Sequence, residues 1–317
     1  MFTALQSVLS VILMIGLGFV LARKRWFEHN GQAILSRLVV NVALPTYMIS
    51  NLMGGYDRAK LLSMVPGLPI PFGIMIASYL SAMLLAMLFK VERTRRGAFQ
   101  SMFALSNAVF IGLPINILLF GEQSLPFALL YYIANTSLFW TIGVYGIARD
   151  GALRTGQLAP SLVSLSSVKR IFSPPLLGFL IAIILILLEI KLPKFIMDTC
   201  KYLGNLTTPL SMLFIGIVIA RVEWKKLKFE RDYLVILAGR FLLTPLMMFF
   251  LVRTMDLPLL MKQVFIMQAS MPAMTQNPII AEAYHADAEY AAIGTSLTTV
   301  ISMITIPIYM SIIGVLI

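Results

Sequence analysis

Residues 106–115 read SNAVFIGLPI, and residues 270–279 read SMPAMTQNPI. Ser106 and Ser270, Pro114 and Pro278, and Ile115 and Ile279 all align at one offset of 164 positions. The same offset carries NVALP at 41–45 onto NLTTP at 205–209, which share Asn-x-x-x-Pro, and Tyr145 onto Tyr309. One such match is cheap, but a single gap-free offset recurring over several segments marks an internal repeat.

Both stretches lie inside long apolar runs. The 317 residues are 59% hydrophobic and 12% charged, whereas a soluble domain carries roughly 25% charged residues. Lipid must supply the missing solvent. A bilayer crossing takes about 20 apolar residues, and ten runs qualify: 2–22, 32–53, 62–89, 97–119, 125–148, 172–190, 197–220, 232–253, 259–283 and 288–316. No small-residue cleavage site follows the first run, and Arg23, Lys24 and Arg25 come after it rather than before, so it reads as an uncleaved span. The repeat offset covers five spans, an odd number, so equivalent segments enter the membrane from opposite faces. The expected fold is an all-α polytopic membrane protein of ten transmembrane helices. Residues 1–150 form a first five-helix repeat, 151–171 a cytoplasmic connector, and 172–317 a second, inverted five-helix repeat.

Net charge is +11. The basic residues are scattered through short segments with no basic stripe, which argues against nucleic acid. They sort by side instead. With the N-terminus outside, seventeen fall on the cytoplasmic face (among them Arg23, Lys24, Arg25, Arg93, Arg95 and Arg96) and seven on the other; Arg240 completes the 25. The positive-inside rule then puts both termini on the extracytoplasmic side of an inner (plasma) membrane. One cysteine and two histidines exclude an internal disulfide and a histidine cluster, so neither metal nor cofactor is expected.

The quoted stretches fall in spans four and nine. Proline removes a donor and crowds the preceding turn, and Gly112 beside Pro114 lets the chain unwind. A simple kink accounts for one such span. Two breaks at equivalent repeat positions, each beside amides or hydroxyls, point to a binding site lined by freed backbone groups. Asn107, Ser270, Gln276 and Asn277 are the side chains best placed to serve as ligands there, and half-helix N-termini would favour an anion. Arg240 is the one ionisable residue deep in a span, roughly 13 Å in from Arg231 at about 1.5 Å per residue. It reads either as a counter-charge for a carboxylate or as a cap on carbonyls freed by a break. All fourteen acidic residues lie in loops or near span ends, which disfavours proton antiport through a buried carboxylate.

These motifs, together with MPAMTQNPIIAEAYHAD at 271–287, make the sequence resemble the auxin efflux carrier family, whose bacterial members include malate and malonate permeases. The resemblance implies a scaffold domain and a transport domain with crossing broken helices. It also implies that Asn107, Gly112, Pro114 and Pro278 flank the site. The connector at 149–171 is far shorter than the long loop of the plant auxin carriers, and the crossover reads differently, so the cargo expected is a small organic anion such as malate or malonate. Alternatives are a sodium-coupled symporter of the same fold, with oxygens from Gln268, Thr275, Gln276 and Asn277, and an efflux carrier for indole acids. No Gly-x-Ser-x-Gly, His-Glu-x-x-His or buried Asp pair supports an enzyme. The expected partners are that anion and the lipid bilayer, and a homodimer remains open.

Overall fold

A computed structural model describes residues 2–27, 31–156, 172–220 and 230–316. Within them the order is α1 (Phe2–Arg23), α2 (Gly31–Leu38), α3 (Leu44–Gly55), α4 (Arg58–Leu62), α5 (Pro69–Leu88), α6 (Arg96–Ala104), α7 (Leu113–Phe120), α8 (Leu125–Leu138) and α9 (Val144–Thr155). There follow α10 (Pro174–Leu187), α11 (Lys194–Gly204), α12 (Thr207–Ala220), α13 (Arg231–Ala238), α14 (Thr244–Arg253), α15 (Leu259–Ala269), α16 (Asn277–Ala283) and α17 (Ala288–Leu316). Six helical stretches are long and apolar enough to cross a membrane: Ala33–Gly55, Arg58–Leu88, Glu122–Thr155, Lys194–Ala220, Arg231–Arg253 and Ala288–Ile313. Four shorter apolar ones, Leu13–Arg23, Ala108–Phe120, Pro174–Leu187 and Leu259–Ala269, fall in the remaining apolar runs. Among the described residues all long elements are helices, and the chain is a multi-pass membrane protein.

Several of the long stretches are joined through π turns, at Val39–Ala43, Ala108–Gly112, Phe139–Gly143 and Gly239–Leu243. Three of the four have a common cause. Pro45, Pro114 and Pro245 each stand two residues past the end of a π turn. A proline ring clashes with the carbonyl four residues back and offers no N–H to it, so the preceding turn widens. Other groups take up the slack. Thr46 Oγ1 donates to the Val42 carbonyl at 2.7 Å, and Tyr309 donates to the Phe241 carbonyl at 2.5 Å. The Asn41 side chain makes no bond at the first of these kinks, where Thr46 binds the freed backbone instead.

The chain divides into two compact units that cut across the repeats. The first comprises Met1–Pro66, Pro114–Pro126 and Lys169–Val222, and the second Gly67–Leu113, Phe127–Val168 and Glu223–Ile317. In the first, α1 packs on α12 and α10 packs on α3. The first and sixth apolar runs thus each lie against the second run of the other repeat. Gly18 abuts the Leu213 backbone and Gly216 that of Ile15, so any side chain there would push the helices apart. In lipid, where tails compete for every apolar contact, such close backbone approach is a main source of association. In the second unit α6 packs on α5 and α9, while α15 packs on α14 and α17. A buried Ser78–Thr244 hydroxyl pair at 2.7 Å joins α5 to α14.

Candidate functional site

The breaks in the fourth and ninth apolar runs are where the second unit's polar chemistry concentrates. Helix α6 ends at Ala104, and the chain resumes helical geometry only at Ala108. Helix α15 ends at Ala269, and α16 begins at Asn277. Between them, Ser106 and Ala273 form an isolated antiparallel β-bridge, and the Asn107 N–H donates to the Pro272 carbonyl at 2.7 Å. Two interrupted segments therefore meet backbone to backbone in the buried interior of the second unit, each supplying part of what the other lacks.

Side chains supply the rest, as they must where no water competes. Asn135 of α8 accepts from the Ser106 N–H at 2.9 Å and donates to the Ser106 carbonyl at 2.8 Å, mimicking a second strand. Thr298 Oγ1 of α17 accepts from the Ala273 N–H at 3.1 Å. Gln268 Nε2 reaches the Ala108 carbonyl at 3.4 Å. Arg240, wholly buried in its π turn, donates from Nη2 to the Ala269 carbonyl at 2.7 Å, the end of α15. Its Nε and Nη1 have no hydrogen-bond partner. The phenols of Tyr131 and Tyr309 lie within electrostatic reach of the guanidinium, and Tyr131 also sits beside Ser106.

The residues singled out from the sequence take different places. Asn107 is buried; its Oδ1 accepts from the Phe110 N–H at 3.1 Å, and its Nδ2 is unpaired. Gln276 holds a buried, unpaired Oε1. Asn277 is fully engaged, accepting from Ser101 Oγ at 2.6 Å and donating to the Met274 carbonyl at 2.9 Å. Ser270 turns its hydroxyl back onto the Met267 carbonyl at 2.8 Å, closing its own helix end. Gly112 is the last residue of a π turn rather than an unwound one. Its missing Cβ leaves room for the Gln268 amide, whose Oε1 is also unpaired.

Pro114 and Pro278 require a correction. Neither lies in a non-helical segment: Pro278 is the second residue of α16, where a missing N–H costs nothing, and Pro114 stands inside the helical stretch Ala108–Phe120, just past the π turn that makes room for its ring. The breaks precede them by several residues. Asn135 and Thr298 were not among the expected site residues. The only signal for either was a polar side chain in an apolar run, and the backbone it serves is 29 or 25 positions away in sequence.

A multi-pass helical chain with two interrupted spans braced against each other in its buried interior defines the class of polytopic membrane transporters. The family model described as "Membrane transport protein", an auxin efflux carrier-like family, matches residues 3–310, and the chain belongs to that family. It is similar to a protein described as an uncharacterized transporter from Methanocaldococcus jannaschii, 24% identical over 311 residues, covering 96% of this chain and 97% of that one. A second uncharacterized transporter, from Methanothermobacter thermautotrophicus, is 25% identical over 309 residues, covering 96% of each.

Proposed function

We propose that the protein is a secondary carrier of small organic anions, working by alternating access around the two bridged breaks. The observation that carries this reading is the surplus of buried donors there. Apart from the carbonyl it caps, the Arg240 guanidinium faces the Tyr131 phenol and no carboxylate, and Asn107 Nδ2 is unpaired. A buried guanidinium without a carboxylate is expensive. A carboxylate ligand would match its free edge. The unpaired oxygens of Gln268 and Gln276 suit a hydroxyl or a protonated carboxyl on the same ligand, which favours malate-like acids over simple fatty acids. Na⁺ coupling finds less support, because Asn277 is spent on Ser101 and Met274, leaving few free oxygens for a cation shell.

On this reading the protein has ten spans in two inverted repeats. The first compact unit, built from the first two spans of each repeat together with Pro114–Pro126, is the scaffold. The second, holding both bridged segments, is the moving transport domain. The excess of basic residues on one set of loops orients both termini outward. Proteoliposomes loaded with unlabelled malonate and diluted into labelled malonate test the claim. A carrier produces transient counterflow of label above equilibrium. Monotonic equilibration without an overshoot, or no uptake of malate, malonate or citrate at all, would contradict it.

A further inference from the structure

A second polar site lies in the other unit, away from the breaks. A cavity of about 430 Å³ opens where α3, α4, the turn at Glu122–Ser124 and α11 converge, all within the first unit. That volume is in the range of small-molecule sites, roughly 300–1,000 Å³. Its walls carry Tyr47, Asn51, Glu122, Asp198, Lys201 and Asn205. Asn205 belongs to the repeated Asn-x-x-x-Pro motif; its side chain bonds to no protein group and lines this cavity instead of bracing the adjacent kink.

The lining is built but unfinished. Tyr56 closes one side by donating to the Gln123 carbonyl at 3.0 Å, and burial pushes its phenol up to about 12, so it remains a neutral donor. Lys60 is held over the Tyr56 ring at 4.2 Å and donates to the Gly55 carbonyl at 3.2 Å. Tyr47 is buried, and its hydroxyl has no partner. Among the described residues, neither lysine forms an ion pair with Glu122 or Asp198, although all four line one cavity. Asp198 and Lys201 stand three apart on α11, a spacing that permits pairing, yet they do not pair.

The charge balance decides the ligand class. A dianion here would meet two carboxylates, and a diamine two ammonium groups. A molecule carrying one carboxylate and one ammonium meets an opposite charge at each end. We propose that this cavity binds a small zwitterion of the α-amino-acid or betaine type. Its carboxylate lies toward Lys201 and the Asn205 amide, and its cationic end toward Asp198 and Glu122. On the orientation proposed above, the loops that form the site are extracytoplasmic. The cavity is independent of the anion site at the breaks.

The test uses the purified full-length protein in detergent, with L-glutamine and glycine betaine as probes and malonate and putrescine as controls. At least one zwitterion is expected to raise the melting temperature with the logarithm of its concentration. Lys201→Ala and Asp198→Ala, both on an accessible helix face, are each expected to weaken that binding by about tenfold or more. The double charge exchange Lys201→Asp with Asp198→Lys is expected to recover part of it. The proposal is overturned if neither zwitterion shifts the melting curve. A shift unchanged in both single variants also overturns it, by placing the binding elsewhere. A malonate shift abolished by Lys201→Ala and enhanced by Asp198→Ala would overturn it too, because the cavity would then be an anion trap.

Discussion

The two breaks occupy equivalent places in the repeat but are held by different chemistry. The first is short, residues 105–107, and one side chain, Asn135, satisfies both the N–H and the carbonyl of Ser106. The second is longer, residues 270–276, and its needs are divided: Thr298 takes one N–H, and Arg240 caps the carbonyl at the end of α15. Asn135 has a near counterpart in Thr298, since its repeat equivalent is the adjacent Thr299. Arg240 has none, because the offset of 164 carries it onto Ile76. The 164-residue offset thus relates the uncharged braces of the two breaks, while the buried guanidinium has no counterpart at that offset. The Ser106–Ala273 bridge nevertheless joins the break it caps to the other.

If the bracing is as unequal as this, removing it should cost unequal amounts. Asn135→Leu keeps the volume and strands both polar groups of Ser106 in a dry interior. It is expected to lower stability by about 2–4 kcal/mol, seen as the largest fall in melting temperature of any variant here. Thr298→Val strands a single N–H and is expected to cost about 1–2 kcal/mol, with Thr298→Ser close to the parent. Equal losses in the two would break the comparison.

Gly112→Ala sharpens the first break, because the new methyl group meets the Gln268 amide. A loss of about 1–3 kcal/mol is expected from overpacking. The double variant with Gln268→Ala should recover about 1 kcal/mol of it, a coupling read from a double-mutant cycle on melting data. The smallest effect is expected far from both breaks. Arg95 pairs with Asp287 at 2.8 Å and Glu230 at 3.2 Å while remaining partly exposed. Arg95→Gln should cost under about 1 kcal/mol, less still in high salt, and leave malonate affinity as in the parent.

Much of the architecture was legible in the sequence because lipid imposes long apolar runs: among the described residues six expected runs hold a helix long enough to cross a membrane, and four hold a shorter apolar helix. The 164-residue offset located both breaks, though only to within several residues. Proline was the visible marker, but Pro278 opens the second half-helix, where a helix tolerates it, and Pro114 sits within its half-helix behind a π turn. The π turns had no sequence signature beyond a later proline, and the turn at Phe139–Gly143 has not even that. Asn135 was visible as an amide in an apolar run, but its partner could not be read, because long-range backbone pairing leaves no local trace. The interleaved units were also hidden: helix packing, not chain order, puts α1 beside α12. For Arg240 the structure shows the capping contact, and the counter-charge reading stays with the proposal. One nitrogen caps a freed carbonyl, and the guanidinium otherwise faces the Tyr131 phenol.

The dual role of Arg240 is where the account is most exposed. Malonate affinity and melting temperature should be measured on the same purified samples of the parent, Arg240→Lys and Arg240→Gln. With a cap and an anion partner combined in one side chain, Gln is expected to lose about 1–3 kcal/mol of stability and nearly all malonate binding. Lys, a point charge in place of a fork, should retain weakened binding. A Gln variant that binds malonate as tightly as the parent would show that no anion rests on this guanidinium, and the bridged breaks would lose their claim to be the anion site.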